Sequence, residues 1–73
     1  MKIDLPVNKK TVTILRKILE AVDGEELIDS ITVSYKEAVI VGTNLQSMMF
    51  KLITHGNLDA HIGPRKTHIF INI

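Results

Sequence analysis

The chain has no cysteine and no tryptophan, only two prolines and four glycines, and three aromatic residues, Tyr35, Phe50 and Phe70. Without cysteine there is no disulfide framework, no thiol nucleophile and no thiolate-held zinc or iron–sulfur centre. No apolar run approaches the roughly 20 residues needed to cross a bilayer. The opening Met-Lys-Ile-Asp-Leu-Pro lacks the apolar stretch of a secretory leader. Neither charge dominates. Nine basic and eight acidic residues leave a net charge of +1, too balanced to point by itself to nucleic acid or an anionic membrane. Ser30, Ser34 and Ser47 have no evident histidine–acid partnership, the acids form no recognisable pair, and no glycine-rich phosphate loop is present. Catalysis must be argued from site chemistry, and none is legible. The expectation is a cytoplasmic, non-enzymatic protein with no cofactor, no metal and no membrane association.

What remains is aliphatic. Isoleucine, leucine and valine dominate the apolar residues of a 73-residue chain, which is the size of one domain spanning 1–73. A domain this short buries only about 60% of the surface its unfolded chain exposes. Lacking staples, it must rely on dense packing or on self-association.

The pattern along the chain predicts the order β-α-β-β-α-β-β. Ile3, Leu5 and Val7 alternate in a first strand, which Pro6 restricts to an edge or a strand end. Asn8 is a candidate N-cap for a helix from Lys9 to Val22, with Val12, Leu15, Leu19 and Val22 at helical spacing and Gly24 as its stop. Residues 25–29 read as a loop or a further helical turn. Ser30–Gly42 is dense in β-branched residues and reads as a hairpin turning at Lys36-Glu37, as one bulged strand, or as part helix. Thr43 and Gln46 match a capping box for a second helix, with Leu45, Met48, Met49, Leu52 and Ile53 buried and Gly56 at its end.

The last third is the most informative. Folded back at Gly63-Pro64-Arg65-Lys66, it makes a hairpin in which Ile62 opposes Thr67, His61 opposes His68 and Ala60 opposes Ile69. One face then collects Leu58, Ala60, Ile62, Ile69, Ile71 and Ile73. The other carries Asp59, His61, His68 and Phe70. The sum of these elements is an α+β fold, two helices on one face of a mostly antiparallel sheet, in a ferredoxin-like variant.

Three features carry candidate function. Opposed imidazoles beside Asp59 suit a divalent ion or a pH response, but they lack a ligand-spacing motif, and no metal is assigned. Arg65 and Lys66 at the hairpin tip suit phosphate contact. Val39, Val41 and Phe70, with His61 and His68, fall on the sheet face away from the helices and suit contact with a protein, most simply a second copy of the chain.

Tyr35 to Ile73 also resembles a winged helix. In that resemblance Tyr-Lys-Glu-Ala-Val-Ile-Val is a first helix, Gly42-Thr43-Asn44 the turn, Leu45 to His55 the recognition helix and the 63–66 tip the wing. It implies a nucleic-acid-binding protein. Against it, Val39-Ile40-Val41 prefers strand and the recognition helix carries a single cation, Lys51. The leading expectation is therefore a binding or regulatory module acting through protein contact as a homodimer. Small accessory regulators and phage- or plasmid-encoded inhibitors share this profile. Nucleic acid is the alternative partner.

Overall fold

The computed structural model describes residues 1–23 and 28–73. Its elements are β1 (Lys2–Asp4), α1 (Lys9–Val22), β2 (Ile28–Val33), β3 (Glu37–Gly42), α2 (Leu45–Thr54), β4 (Asp59–Ile62) and β5 (His68–Asn72). The fold is α+β, with two helices and one five-stranded mixed sheet in the order β1-β2-β3-β5-β4. Only β1 and β2 run parallel; the other three pairings are antiparallel. Ferredoxin-like cores separate the strands on either side of each helix by a third strand. The β3-α2-β4 half does this, with β5 between, whereas β1 and β2 are direct neighbours.

The sheet is held by an isoleucine row that crosses every strand: Ile3, Ile31, Ile40, Ile69 and Ile62 stand opposite one another in register. The three central members are fully buried. Because strand side chains alternate, this row and the adjacent Val33, Ala38, Ile71 and Ala60 share one face. On that face Ile18, Ala21 and Val22 of α1 and Met48 and Leu52 of α2 complete the core. Both helices therefore cover the same side of the sheet.

α1 begins where the sequence places it. The Asn8 side chain accepts from the Thr11 N–H at 3.0 Å, and the Asn8 N–H donates to Thr11 Oγ1 at 3.2 Å. The Thr11 hydroxyl also donates to the Pro6 carbonyl, so a buried polar group fixes the entry of the helix. β1 stops at Asp4 rather than Val7. Pro6 has no N–H to extend the ladder, and Val7 is 84% exposed. Asp23, left-handed at φ 45°, caps the far end by donating to the Leu19 carbonyl. Gly24, expected as the stop, and residues 25–27 lie outside the described residues; Ile28 and Asp29 already belong to β2.

Several expectations are corrected. Residues 37–42 are a strand paired on both sides, by β2 and β5, so the first helix of the winged-helix resemblance does not exist and the 63–66 tip is not a wing. The β2–β3 hairpin turns one residue earlier than expected, which shifts its pairing by two. Val33 opposes Ala38, the loop is Tyr35-Lys36, and the Ser34 N–H donates to the Glu37 carbonyl at 2.8 Å. The Ser34 hydroxyl donates to the same carbonyl and accepts from the Glu37 N–H, which draws the turn onto Ser34–Glu37. Thr43 does not cap α2. The cap is Asn44 at φ 56°, with no side-chain bond, because β3 stays paired through Gly42 and the chain needs a left-handed residue to turn from strand into helix. Ile53, expected in the core, is 44% exposed.

Candidate functional site

Among the described residues, no helix lies on the second face of the sheet. One row crosses all five strands in register: Asp4, Thr32, Val39, Phe70 and His61. The next row towards the tip is Lys2, Ser30, Val41 and His68. Val39, Val41, His68 and Phe70 are half-buried, while His61 is exposed. The five residues expected on this face are therefore all on it, gathered on three adjacent strands.

Their pairing differs from expectation. The β4–β5 hairpin is shifted by two residues: His61 opposes Phe70, Ala60 opposes Ile71 and Ile62 opposes Ile69. The imidazoles are not directly opposed. Each instead lies nearly parallel to the Phe70 ring, His61 at 5.7 Å and 24° and His68 at 6.1 Å and 21° between centroids and planes. The result is an aromatic strip with a phenyl ring as its common member. The shift arises at the tip. Lys66 closes a turn onto the Gly63 carbonyl at 2.9 Å and sits at φ 59°, so Thr67 stays in the loop and pairing starts at Ile62.

Gly63 shapes the strip. A Cβ there would fall 2.5 Å from Phe70 Cε2, so only glycine lets the phenyl ring lie down across the strand. The ring thereby covers backbone and remains half-buried instead of standing into solvent. The His68 ring is held by a 2.6 Å hydrogen bond between its Nδ1 and Thr67 Oγ1. At the opposite end of the face, Asn72 Nδ2 donates to Asp59 Oδ2 at 3.0 Å.

Arg65 and Lys66 are exposed at the tip. Lys66 occupies a left-handed conformation that disfavours a lysine by about 1 kcal/mol relative to glycine. Beside the tip, an open groove of about 890 Å³ runs between it and the β3–α2 turn, lined by Thr43, Asn44, Ile62, Pro64 and Lys66 among others. Among the described residues, no three histidine or acidic side chains gather closely enough to hold a metal ion. None of the buried polar side-chain atoms described lacks a hydrogen-bond partner, and no described helix is long and apolar enough to cross a membrane.

The arrangement is a pleated surface, apolar in the middle, with aromatic rings along it and charges at both ends. Comparison with known protein families, with curated proteins and with solved structures finds no match to this chain.

Proposed function

We propose that this chain is a binding module that works through the helix-free face of its sheet, and that a second copy of the chain is the first partner of that face. The supporting observation is the contiguous patch of Val39, Val41 and Phe70 on neighbouring β3 and β5, flanked by His61 and His68. A single exposed apolar residue needs no explanation, but a patch on an unpartnered face marks an interaction surface.

Size supports the same reading. One side of a body measuring 29 × 23 × 21 Å, with 4757 Å² of accessible surface, presents roughly a sixth of it, about 800 Å², which is the area a standard interface buries on each partner. Sheet-on-sheet packing would also supply a small domain with a second apolar layer. In this reading the dimer serves as an accessory regulator of another protein, and no step of it involves catalysis.

Sedimentation of the wild-type chain over a dilution series tests the proposal. The expected result is a species of twice the 8.2 kDa chain mass at high micromolar concentration, dissociating on dilution. A monomer throughout, up to the high micromolar range, overturns it.

A further inference from the structure

The charges on the open face are divided between its ends. Glu37 and Asp59 lie on β3 and β4, two residues beyond Val39 and His61 on the side away from the tip. Arg65 and Lys66 lie on the tip itself, two residues beyond Gly63 and His68 in the other direction. Between the two ends sits the apolar patch. On β1, Lys2 stands in the row nearer the tip and Asp4 in the row nearer the acidic end. The face therefore has a mainly basic end, an apolar middle and a mainly acidic end; exposed Lys36 lies beside Glu37 at the acidic end, and exposed Asp29 lies at the bulge of β2 beside Ser30 at the other.

We infer that two copies pack these faces head to tail, about a two-fold axis running across the strands between the Val39–Phe70 row and the Val41–His68 row. This inference rests on the dimer reading above and adds the geometry of the pair.

The argument is one of symmetry and charge. Two sheets stacked face to face can be related by a two-fold axis along the strands or across them. An axis along the strands lays each end on its own copy, so that Glu37 and Asp59 meet Glu37 and Asp59, and Arg65 and Lys66 meet Arg65 and Lys66. Like charges set against each other at an interface are costly. An axis across the strands exchanges the ends. The acidic end of each copy then meets the basic tip of the other, twice per dimer. Lys2 comes over Asp4 of the partner, and Asp4 over its Lys2.

The middle of the face agrees with this choice. With the axis between the two rows, Val39 comes over Val41 of the partner and Phe70 over its His68. Phe70 already leans towards the axis, because Gly63 leaves room for its ring. Lys66, left-handed at φ 59°, supplies one of the three basic charges of that end.

Charge reversal tests the geometry separately from the existence of the dimer. One variant makes the tip acidic (Arg65→Glu with Lys66→Asp). A second makes the acidic end basic (Glu37→Lys with Asp59→Lys). The third combines all four changes. All four positions are exposed, and circular dichroism checks that each variant stays folded. Head-to-tail packing predicts that either two-site variant raises the dimer dissociation constant about tenfold or more at low salt, with a smaller effect at high salt. It predicts that the four-site variant returns close to wild type. If the wild type dimerises and neither two-site variant weakens it, the head-to-tail arrangement is wrong while the dimer reading stands. If the four-site variant stays as weak as either parent, the opposition of the two ends is also wrong. A wild type that never dimerises removes both.

Discussion

Ile40→Ala is expected to unfold the protein under mild denaturant where the wild type remains folded. Ile40 is completely buried and sits at the centre of the isoleucine row, opposite Ile31 on one side and Ile69 on the other. Truncating such a side chain removes its transfer free energy and leaves a cavity, together about 2–5 kcal/mol. A domain of this size has roughly 4–11 kcal/mol of total stability, so one substitution consumes a large part of the margin. Urea titration followed by circular dichroism reads the loss. The neighbouring Val39→Ala provides the contrast. Its side chain is on the other face, half-buried, and its truncation is expected to cost about 1 kcal/mol or less in the monomer. Similar losses at the two positions would mean that the helix-covered face is not where the stability lies.

The second large effect is on association. Phe70→Glu is expected to raise the dimer dissociation constant about a hundredfold or more, because it removes the largest apolar side chain from the centre of the closed interface and puts there a carboxylate that association must desolvate. The monomer is expected to stay folded, which circular dichroism checks. The open face is wet, and the nearest rings are the imidazoles of His61 and His68. The signature is thus a folded monomer at concentrations where the wild type is dimeric. Val39→Lys should do the same from the adjacent strand. A control on the opposite side of the molecule is Phe50→Glu, since Phe50 is 66% exposed on α2. If Phe50→Glu dissociates the dimer and Phe70→Glu does not, the helical side is the interface and the assignment of the sheet face is wrong.

Much of this architecture is legible in the sequence, and the misses share a cause. Alternation of apolar and polar residues correctly sorts Val39, Val41, His61, His68 and Phe70 onto one face and Ala38, Ile40, Ile69 and Ile71 onto the other. Alternation has a period of two, so it cannot distinguish registers that differ by two residues. Both hairpins are displaced by that amount. In each case a local interaction outside the apolar pattern sets the turn: the Ser34 hydroxyl on Glu37 in one, and the left-handed Lys66 in the other. The consequence for the site is direct. A register in which His61 opposes His68 suggests paired imidazoles, whereas the observed register places Phe70 between strand neighbours as the shared ring.

The helix ends repeat the lesson. Asn8 caps α1 because its side chain and that of Thr11 satisfy each other's backbone groups, a reciprocal pattern contained in four consecutive residues. Thr43 and Gln46 show an equally good local pattern, yet pairing of β3 through Gly42 dictates the direction of the chain, and Asn44 makes the turn. Helix packing also exceeds the reach of spacing. The apolar stripe of α1 includes Leu19, which is 36% exposed, while the threonine at position 11 is buried by its hydrogen bonds. Strand order is further still from the sequence: insertion of β5 between β3 and β4 depends on where α2 lands on the sheet and not on any single segment.

The central claim is that the helix-free face is closed by a second copy. Isotope-filtered nuclear Overhauser spectroscopy on a mixture of labelled and unlabelled chains tests it most directly. The account predicts cross-peaks between copies from the Val39 and Val41 methyls to each other and to the Phe70 and His68 rings, and none involving Phe50 or Ile53 on α2. Intermolecular peaks confined to the helices, or a dimer with no peak on the open face, would contradict it.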